Sequence, residues 1–309
     1  MSRREDWARR LGIASTLVLL ATAIVVGARG KTPPPQARVP ASTVIAASGR
    51  VGVVLIRDGA VVRIDRQSPP GRLIIPRPAR APWPDGLAVG RSRVWVSSQG
   101  LVRGYAVDDR PVRAFRVTAS NPLIMAEAGR VLWAATPWAD RVLGGDLRGR
   151  PVRFAAVRLP CQARFLTARG GDGWVLCDAA RRRALLVRVT PGVAPVVVAE
   201  LPGRARGVSA ARVFVWALTE RGLYRLDPRD QRLLGPFGVT PRSTELAAGP
   251  GRVLTLDEDL GIVLERTPAG RVHTYNVGEG ARALAAASRG FWVTVGDQAT
   301  PRFVEYATP

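Results

Sequence analysis

Histidine, cysteine and lysine are almost absent from this chain of 309 residues, which has one His, two Cys and one Lys. A structural zinc site takes four ligands, and two Cys with no nearby His do not complete it. Neither a phosphate-binding glycine loop nor a serine nucleophile motif occurs. The sequence therefore predicts no metal site and no cofactor, and it identifies no catalytic residue by motif.

Acidic residues are also scarce. The chain has 24 Asp and Glu against 46 Lys and Arg, which gives a formal charge of +22, and 45 of the basic residues are Arg. No zinc-finger, helix-turn-helix or aromatic RNA-binding pattern accompanies this charge, so we do not expect nucleic acid as a partner. The charge favours a basic surface that faces anionic lipid or an anionic cell-envelope polymer.

The N-terminal region contains the one long apolar run. Residues 11–28 carry no charge, and four Arg precede them within residues 1–10. This pattern predicts a single-pass transmembrane anchor at 11–28, a cytoplasmic tail at 1–10, and the rest of the chain outside the cell membrane. A cleaved signal followed by secretion is the alternative, because Val26, Gly27 and Ala28 fit a small-residue cleavage site.

The rest of the sequence repeats one unit, a short apolar strand, a Gly or Arg turn, and a strand that carries Trp or an aliphatic residue. Two further strand-like runs follow each copy. The copies are 38 to 42 residues apart, a period that is typical of β-propeller blades with four short strands. The aligned positions are Val54, Trp95, Trp133, Trp174, Trp216, Leu254 and Trp292.

We therefore predict an all-β fold, a seven-bladed β-propeller at residues 43–309, preceded by one N-terminal transmembrane helix. A ring of six or eight blades would follow if one copy is misjudged. The Trp side chains should pack between neighbouring blades rather than bind a ligand. The last copy supplies only three strands, and the Pro-rich linker at 29–42 contains the expected closing strand, near residues 38–42, which would remove an open sheet edge.

The runs LAVGRSRVWV and GLYRLD resemble the blade motif of bacterial propellers of the streptogramin-lyase and quinoprotein-like families. The resemblance covers roughly residues 43 to 305 and implies a fold rather than a function. It implies that a lyase would use a His base and a carboxylate-bound metal. The one histidine, His273, lies on a predicted outer strand with Glu279 in the next loop, and we interpret it as a packing or surface residue. The Gly-Trp-Asp pattern of quinoproteins is missing, so the resemblance implies no quinone cofactor.

Loops around the central channel are where a propeller would bind a ligand. Several guanidinium groups at one channel mouth would suit a carboxylate or a phosphate. Trp138, an aromatic residue in a predicted turn, is a candidate interaction anchor or a cap on a neighbouring blade. The candidate ligand-binding residues are Arg80, Trp83, Arg204, Arg206, Arg242 and Arg282.

Two further features are assigned to structure. Cys161 and Cys177 predict a disulfide, because an isolated pair in an oxidising compartment usually forms one; two separately buried thiols are the alternative. The run Asp257, Glu258 and Asp259 predicts a solvated loop, since consecutive acids lack the spacing of a calcium loop.

The function that these features favour is a membrane-anchored, extracytoplasmic binding or scaffold module for a protein or an anionic envelope ligand. A lyase or hydrolase with its site at the channel mouth is the alternative. Acids or His273 converging on the channel would favour the enzyme, whereas Arg with aromatic residues would favour binding. The sequence leaves the ligand and the oligomeric state open.

Overall fold

The fold is described by a computed structural model that covers residues 45–48, 52–57, 60–64, 72–75, 84–90, 92–106, 108, 110–117, 122–149, 151–296 and 300–307. These residues contain 27 β-strands in seven antiparallel sheets, together with one short 3₁₀ helix at Ala180–Arg182. In each sheet the strands follow one another in chain order, which is the meander that short strands and Gly-rich turns favour.

The first three sheets each have four strands. The first contains β1 (Ile45–Ser48), β2 (Gly52–Arg57), β3 (Ala60–Ile64) and β4 (Arg72–Ile75). The second contains β5 (Gly86–Val89), β6 (Arg93–Ser98), β7 (Leu101–Ala106) and β8 (Pro111–Arg116). The third contains β9 (Ile124–Ala128), β10 (Val131–Ala135), β11 (Arg141–Asp146) and β12 (Phe154–Arg158).

Three more sheets of four strands and one of three follow. The fourth contains β13 (Gln162–Arg169), β14 (Asp172–Ala179), β15 (Arg183–Val189) and β16 (Val196–Pro202). The fifth contains β17 (Ala205–Ala210), β18 (Val215–Thr219), β19 (Gly222–Leu226) and β20 (Leu233–Phe237). The sixth contains β21 (Ser243–Gly249), β22 (Arg252–Asp257), β23 (Ile262–Arg266) and β24 (Val272–Asn276). The last contains β25 (Ala281–Ala286), β26 (Gly290–Val295) and β27 (Thr300–Glu305).

The sheets are arranged in a ring around a central axis. The first strand of each sheet contacts the first strand of the next, and β25 of the last sheet contacts β1 of the first. The first strands therefore line the axis, and the third and fourth strands lie progressively farther out. This arrangement is the all-β propeller that the repeat predicts.

The blade count differs from the prediction. Six blades of four strands are present in the described residues instead of seven, because the last sheet has three strands there. The segment expected to add its fourth strand, residues 38–42, lies outside the described residues. The predicted tail at 1–10, the anchor or signal at 11–28 and most of the linker at 29–42 lie outside them as well. In the part of the chain that the structure describes, no helix has the length and apolar character to span a bilayer.

In the five sheets whose second strand carries a tryptophan, that side chain packs against the following blade. Trp95, Trp133 and Trp174 are at most 2% exposed. Trp95 packs with side chains of the third blade, and Trp133 with side chains of the fourth. Trp292 of the last sheet packs against Ile45 of the first. The prediction that these residues fill the space between blades is confirmed.

Two of the indoles require a glycine on the neighbouring strand. Trp95 pairs with Gly104, and Trp133 pairs with Gly144. A Cβ at either glycine would lie 2.6 Å from Cζ3 of the indole ring. Because buried indoles are surrounded on all sides, they have little room to move away.

A disulfide joins Cys161 to Cys177, as expected from the sequence, with 5.6 Å between their Cα atoms. Cys161 immediately precedes β13 and Cys177 lies on β14, so the bond links the first two strands of the fourth blade. Both residues are buried in the core cluster that also contains Trp133.

We expect Gly144→Ala to destabilise the propeller by about 1–3 kcal/mol, the usual cost of inserting a methyl group into a packed core. The new Cβ would overlap the Trp133 ring. Gly238→Ala is the control, because nothing lies within 4 Å of a Cβ there. Urea unfolding of both variants measures the difference, and equal stability would show that the indole can shift freely.

Candidate functional site

The first strand of every blade begins at the same end of the ring, because sequential antiparallel strands turn alternately at the two ends of a sheet. The loops that enter the first strands and those that join second to third strands therefore share one face, here called the mouth face. Arg80 and Trp83 lie outside the described residues. The other sequence-predicted candidates, all on this face, are Trp138, Arg204, Arg206, Arg242 and Arg282.

The first strands of the last four sheets each carry a one-residue bulge just inside the mouth face. The register shifts between Ala163 and Phe165 in β13, and at the equivalent position of β17, β21 and β25. The strands β1, β5 and β9 pair without such a shift. A bulge bends its strand and re-aims the extra side chain. The extra residues are Arg164, Arg206, Thr244 and Arg282.

Arg164 is held between a carboxylate and an aromatic ring. Its Nη1 donates to Oδ2 of Asp178, and its Cζ lies 3.5 Å from the centre of the Trp138 ring, in cation–π geometry. Asp178 also accepts a hydrogen bond of 2.8 Å from the backbone N–H of Ala205, which ties the fourth blade to the fifth. Burial lowers the pKa of Arg164, and the charge of Asp178 opposes that shift.

Trp138 lies in the turn between β10 and β11 with a φ of +70°, a conformation that bulky residues rarely adopt. Its N–H donates to the carbonyl of Ala163 at 2.6 Å, and the N–H of Ala163 donates to the carbonyl of Ala139 at 2.8 Å. These bonds fix the turn against the fourth blade and leave Trp138 46% exposed. Trp138 thus contacts the next blade and also presents an aromatic face to solvent.

Arg204 and Arg206 belong to the fifth blade and lie beside Arg164 of the fourth blade. Nη2 of Arg206 is 3.5 Å from Oε1 of Glu220, whose Oε2 is 3.4 Å from the backbone nitrogen of Arg204. The charges of Arg204 and Arg206 both lower the pKa of Arg164, so the three cations lie within electrostatic reach of one another. We call the set Arg164, Arg204, Arg206, Asp178 and Glu220 the arginine cluster. Three cations and two carboxylates give it a net charge of +1.

Arg242 and the acidic run lie together on the sixth blade. Arg242 donates to Asp259 at 2.6 Å, and both side chains are mostly exposed. Glu258 accepts a hydrogen bond of 2.7 Å from the Thr244 hydroxyl. Asp257 is only 1% exposed, so the prediction of a solvated loop is wrong at this residue, because β22 extends far enough to bury it. Within the described residues, no three His, Cys, Asp or Glu side chains are placed to hold a metal ion.

His273 lies on β24, the fourth and outermost strand of its blade, as predicted. It stands opposite Glu265 in the strand register. The Glu265 carboxylate is 1% exposed and accepts hydrogen bonds from Arg252 and Tyr275. Glu279 is exposed in the loop before β25. The one histidine is therefore half-buried on an outer strand, opposite a buried carboxylate that is already paired.

A cavity of about 60 Å³ lies at the mouth end of the first strands of the second to sixth blades. Most of its lining residues are apolar, among them Leu87, Met125 and Phe165 on three different blades. Its charged side chains are Arg206 and Glu245. The arginine cluster therefore continues into the axis of the ring through Arg206.

Sequence reasoning missed Arg164 and Glu245. Nothing in the sequence of β13 marks the position of the bulge, and the direction of the Arg164 side chain depends on that bulge. Glu245 directly precedes the apolar run that marks the sixth copy, which begins at Leu246, and is 7% exposed. Burial, with a smaller contribution from the charge of Glu258, raises the pKa of Glu245 well above its usual range. The one sequence feature that could have identified Glu245 is its position as an acid in the mostly apolar first strand of a blade.

We expect Glu245→Gln to stabilise the protein at neutral pH and not in acid. A carboxyl whose pKa is higher in the folded state destabilises folding as pH rises above its unfolded value of about 4.3. The difference in unfolding free energy between variant and wild type should therefore grow from pH 4 towards neutrality. Glu279→Gln, at an exposed site, is the control. A constant difference across this pH range in urea unfolding would contradict the assignment of Glu245 as a buried neutral acid.

No protein-family model matches this sequence, and no curated protein matches it. Solved structures do share its fold. A streptogramin B lyase is 14% identical, with a TM-score of 0.54 over 73% of this chain and 84% of that one. A chain of the mitotic checkpoint complex is 9% identical, with a TM-score of 0.70 over 86% and 88%. The Cps50 (Swd1) β-propeller domain of Myceliophteria thermophila is 12% identical, with a TM-score of 0.67 over 86% and 97%.

At these identities the likeness establishes the fold and no activity, because unrelated functions share one propeller scaffold. The resemblance to streptogramin lyases that the blade motif suggests is confirmed as a resemblance of fold. This chain is a β-propeller, similar in architecture to a streptogramin B lyase, to a chain of the mitotic checkpoint complex and to the Cps50 (Swd1) domain.

Proposed function

We propose that this propeller is a binding module whose mouth face recognises an acidic segment of a partner protein. The observation that carries the proposal is the arginine cluster beside the exposed ring of Trp138. Propellers found in protein assemblies, such as the chain of the mitotic checkpoint complex, are similar to this one in fold.

The chemistry of the cluster suits a carboxylate-bearing ligand. Each guanidinium has five N–H donors in a planar fork, and Arg206 uses few of them on Glu220. A partly exposed pair such as Arg206 and Glu220 stabilises folding little, so a ligand carboxylate can replace Glu220 at small cost. Trp138, already fixed by its backbone bonds, adds apolar area with little further loss of entropy.

The fold likeness to a lyase supports a second candidate, catalysis at the channel mouth. The composition of the mouth argues for binding instead. The single histidine of the chain lies on β24, an outermost strand. Three acids at the mouth, Asp178, Glu220 and Asp259, each pair with an arginine. A general base of the His type is therefore not positioned at the channel.

Fluorescence anisotropy with fluorescein-labelled decaglutamate tests the binding function. We expect the double substitution of Arg204 and Arg206 to Ala to weaken binding about tenfold or more, since each charge-assisted hydrogen bond contributes roughly 1.5–3 kcal/mol. The control replaces Arg130 and Arg212, two exposed arginines in turns at the opposite face, and removes the same charge. Added salt should weaken binding to the wild type.

Equal losses in the mouth variant and the control variant would show a general charge effect and overturn the proposal. The same assay with an anionic glycopolymer in place of decaglutamate distinguishes an envelope ligand. If that polymer binds more tightly than decaglutamate and its binding depends on Arg204 and Arg206, the ligand is an anionic envelope component and not a protein.

We also propose that the three-stranded sheet is a seventh blade completed by residues 38–42, and that residues 11–28 anchor the propeller at the outer side of the cell membrane. The contact of Trp292 with the first blade supports closure at this point, since it repeats the contact made by the other tryptophans. The apolar run and its flanking arginines support the anchor.

Three chains test this proposal, namely the full chain, residues 29–309 and residues 43–309. We expect only the full chain to sediment with membranes. Residues 43–309 should unfold at a lower Tm than residues 29–309, by about 2–4 °C for each kcal/mol of lost strand pairing. Equal Tm values for the two shorter chains would exclude the closing strand, and sedimentation of residues 29–309 with membranes would exclude the anchor.

A further inference from the structure

The cavity on the ring axis contains a buried acid that lacks a partner. Glu245 is 7% exposed and lines the cavity, and among the described residues no hydrogen bond or ion pair reaches its carboxyl group. Buried polar groups in folded proteins are nearly always paired. An unpaired carboxyl at an open cavity leaves its hydrogen-bonding capacity to whatever enters that cavity, water or a ligand.

The surrounding charges determine what that ligand can be. Arg206 lines the same cavity from the neighbouring first strand, yet it pairs with Glu220 rather than with Glu245. Glu258, beyond the end of β22, is the acid that acts on Glu245. The strands β5, β9 and β13 contribute only apolar lining residues, and β25 contributes none.

In its protonated form the Glu245 carboxyl is a hydrogen-bond donor. Burial away from water and the nearby charge of Glu258 both favour the protonated carboxyl, which carries one O–H. The guanidinium of Arg206 carries N–H donors that cannot be removed by titration. Residues with donors on two neighbouring blades thus line one cavity, and its other side chains are apolar apart from Thr244, whose hydroxyl donates to Glu258.

We propose that this cavity binds a carboxylate carried on a short aliphatic stem, which accepts hydrogen bonds from Arg206 and from the carboxylic O–H of Glu245. The stem lies against Leu87, Phe165 and Leu246. The inference rests on the proposed function and deepens it, because it makes one acidic side chain of the partner segment the group that enters the axis. A free aliphatic acid has the same chemistry and is the other possible source.

Met125 provides a direct readout of the cavity. The chain has two methionines, Met1 and Met125, and Met125 lines the cavity. With ¹³C-methyl methionine, butyrate should shift the Met125 resonance in a saturable manner and leave Met1 unchanged. Butylammonium, matched in size and opposite in charge, should shift neither. Decaglutamate should shift Met125 as butyrate does if an acidic side chain of a protein enters the cavity.

Two substitutions of Glu245 separate the donor role from a cation-binding role. Glu245→Gln keeps a hydrogen-bond donor and should retain butyrate binding within a few fold, whereas Glu245→Leu should lose about tenfold or more. Raising the pH should weaken butyrate binding to the wild type, because the O–H is lost and a repelling charge appears. The Gln variant should show no such dependence. Because Gln has the same shape as Glu, the Glu245→Gln variant tests the proposal even if Glu245→Leu folds poorly.

The outcomes separate this inference from the proposed function. A Met125 shift with butylammonium that disappears in Glu245→Gln would overturn the inference in favour of a cation site. No Met125 shift with butyrate, while decaglutamate still binds through Arg204 and Arg206, would overturn the cavity site alone. A butyrate shift without decaglutamate binding would overturn the protein ligand and assign the cavity to a free acid.

Discussion

The contact of each second-strand tryptophan with the following blade is the interaction on which the rest of the propeller depends. A buried indole removes roughly 150–250 Å² of surface from water and offers a flat face to the next sheet. Trp95, Trp133, Trp174 and Trp216 repeat this contact, and Trp292 makes it with the first blade. The angle between blades is thereby repeated around the ring, so the first strands meet at one axis.

The blades of this propeller repeat one structure, and the mouth face differs from blade to blade because some first strands contain bulges. Among the described first strands, those of the last four sheets carry bulges and the others do not, and the bulges turn Arg164, Arg206 and Arg282 out of the regular strand pattern. The fourth blade, which carries Arg164, is also the one that contains the disulfide, and Asp178 ties it to the fifth. The most strongly cross-linked part of the ring therefore supports the arginine cluster, and a site on a rigid support loses less entropy when it binds a ligand.

The cavity inside the ring contains a further polar group, the carboxyl of Glu245. Burial and the nearby charge of Glu258 raise the pKa of Glu245, whereas Arg206, which lines the same cavity, is a cation. The two groups offer donors of different strength to one incoming acceptor. Arg206 belongs to both the cluster and the cavity, so recognition at the surface and recognition at the axis share a residue.

The sequence by itself determined the propeller class, the blade-packing role of the tryptophans, the pairing of Cys161 with Cys177 and the place of Arg204 and Arg206 at the channel mouth. These depend on a period and on residue types, which are local. Only the tertiary structure decided that Arg164 and Glu245 belong to the site and that Asp257 is buried. A bulge changes the direction of a side chain without changing composition, and the cavity exists only where five first strands, far apart in the chain, meet at one axis.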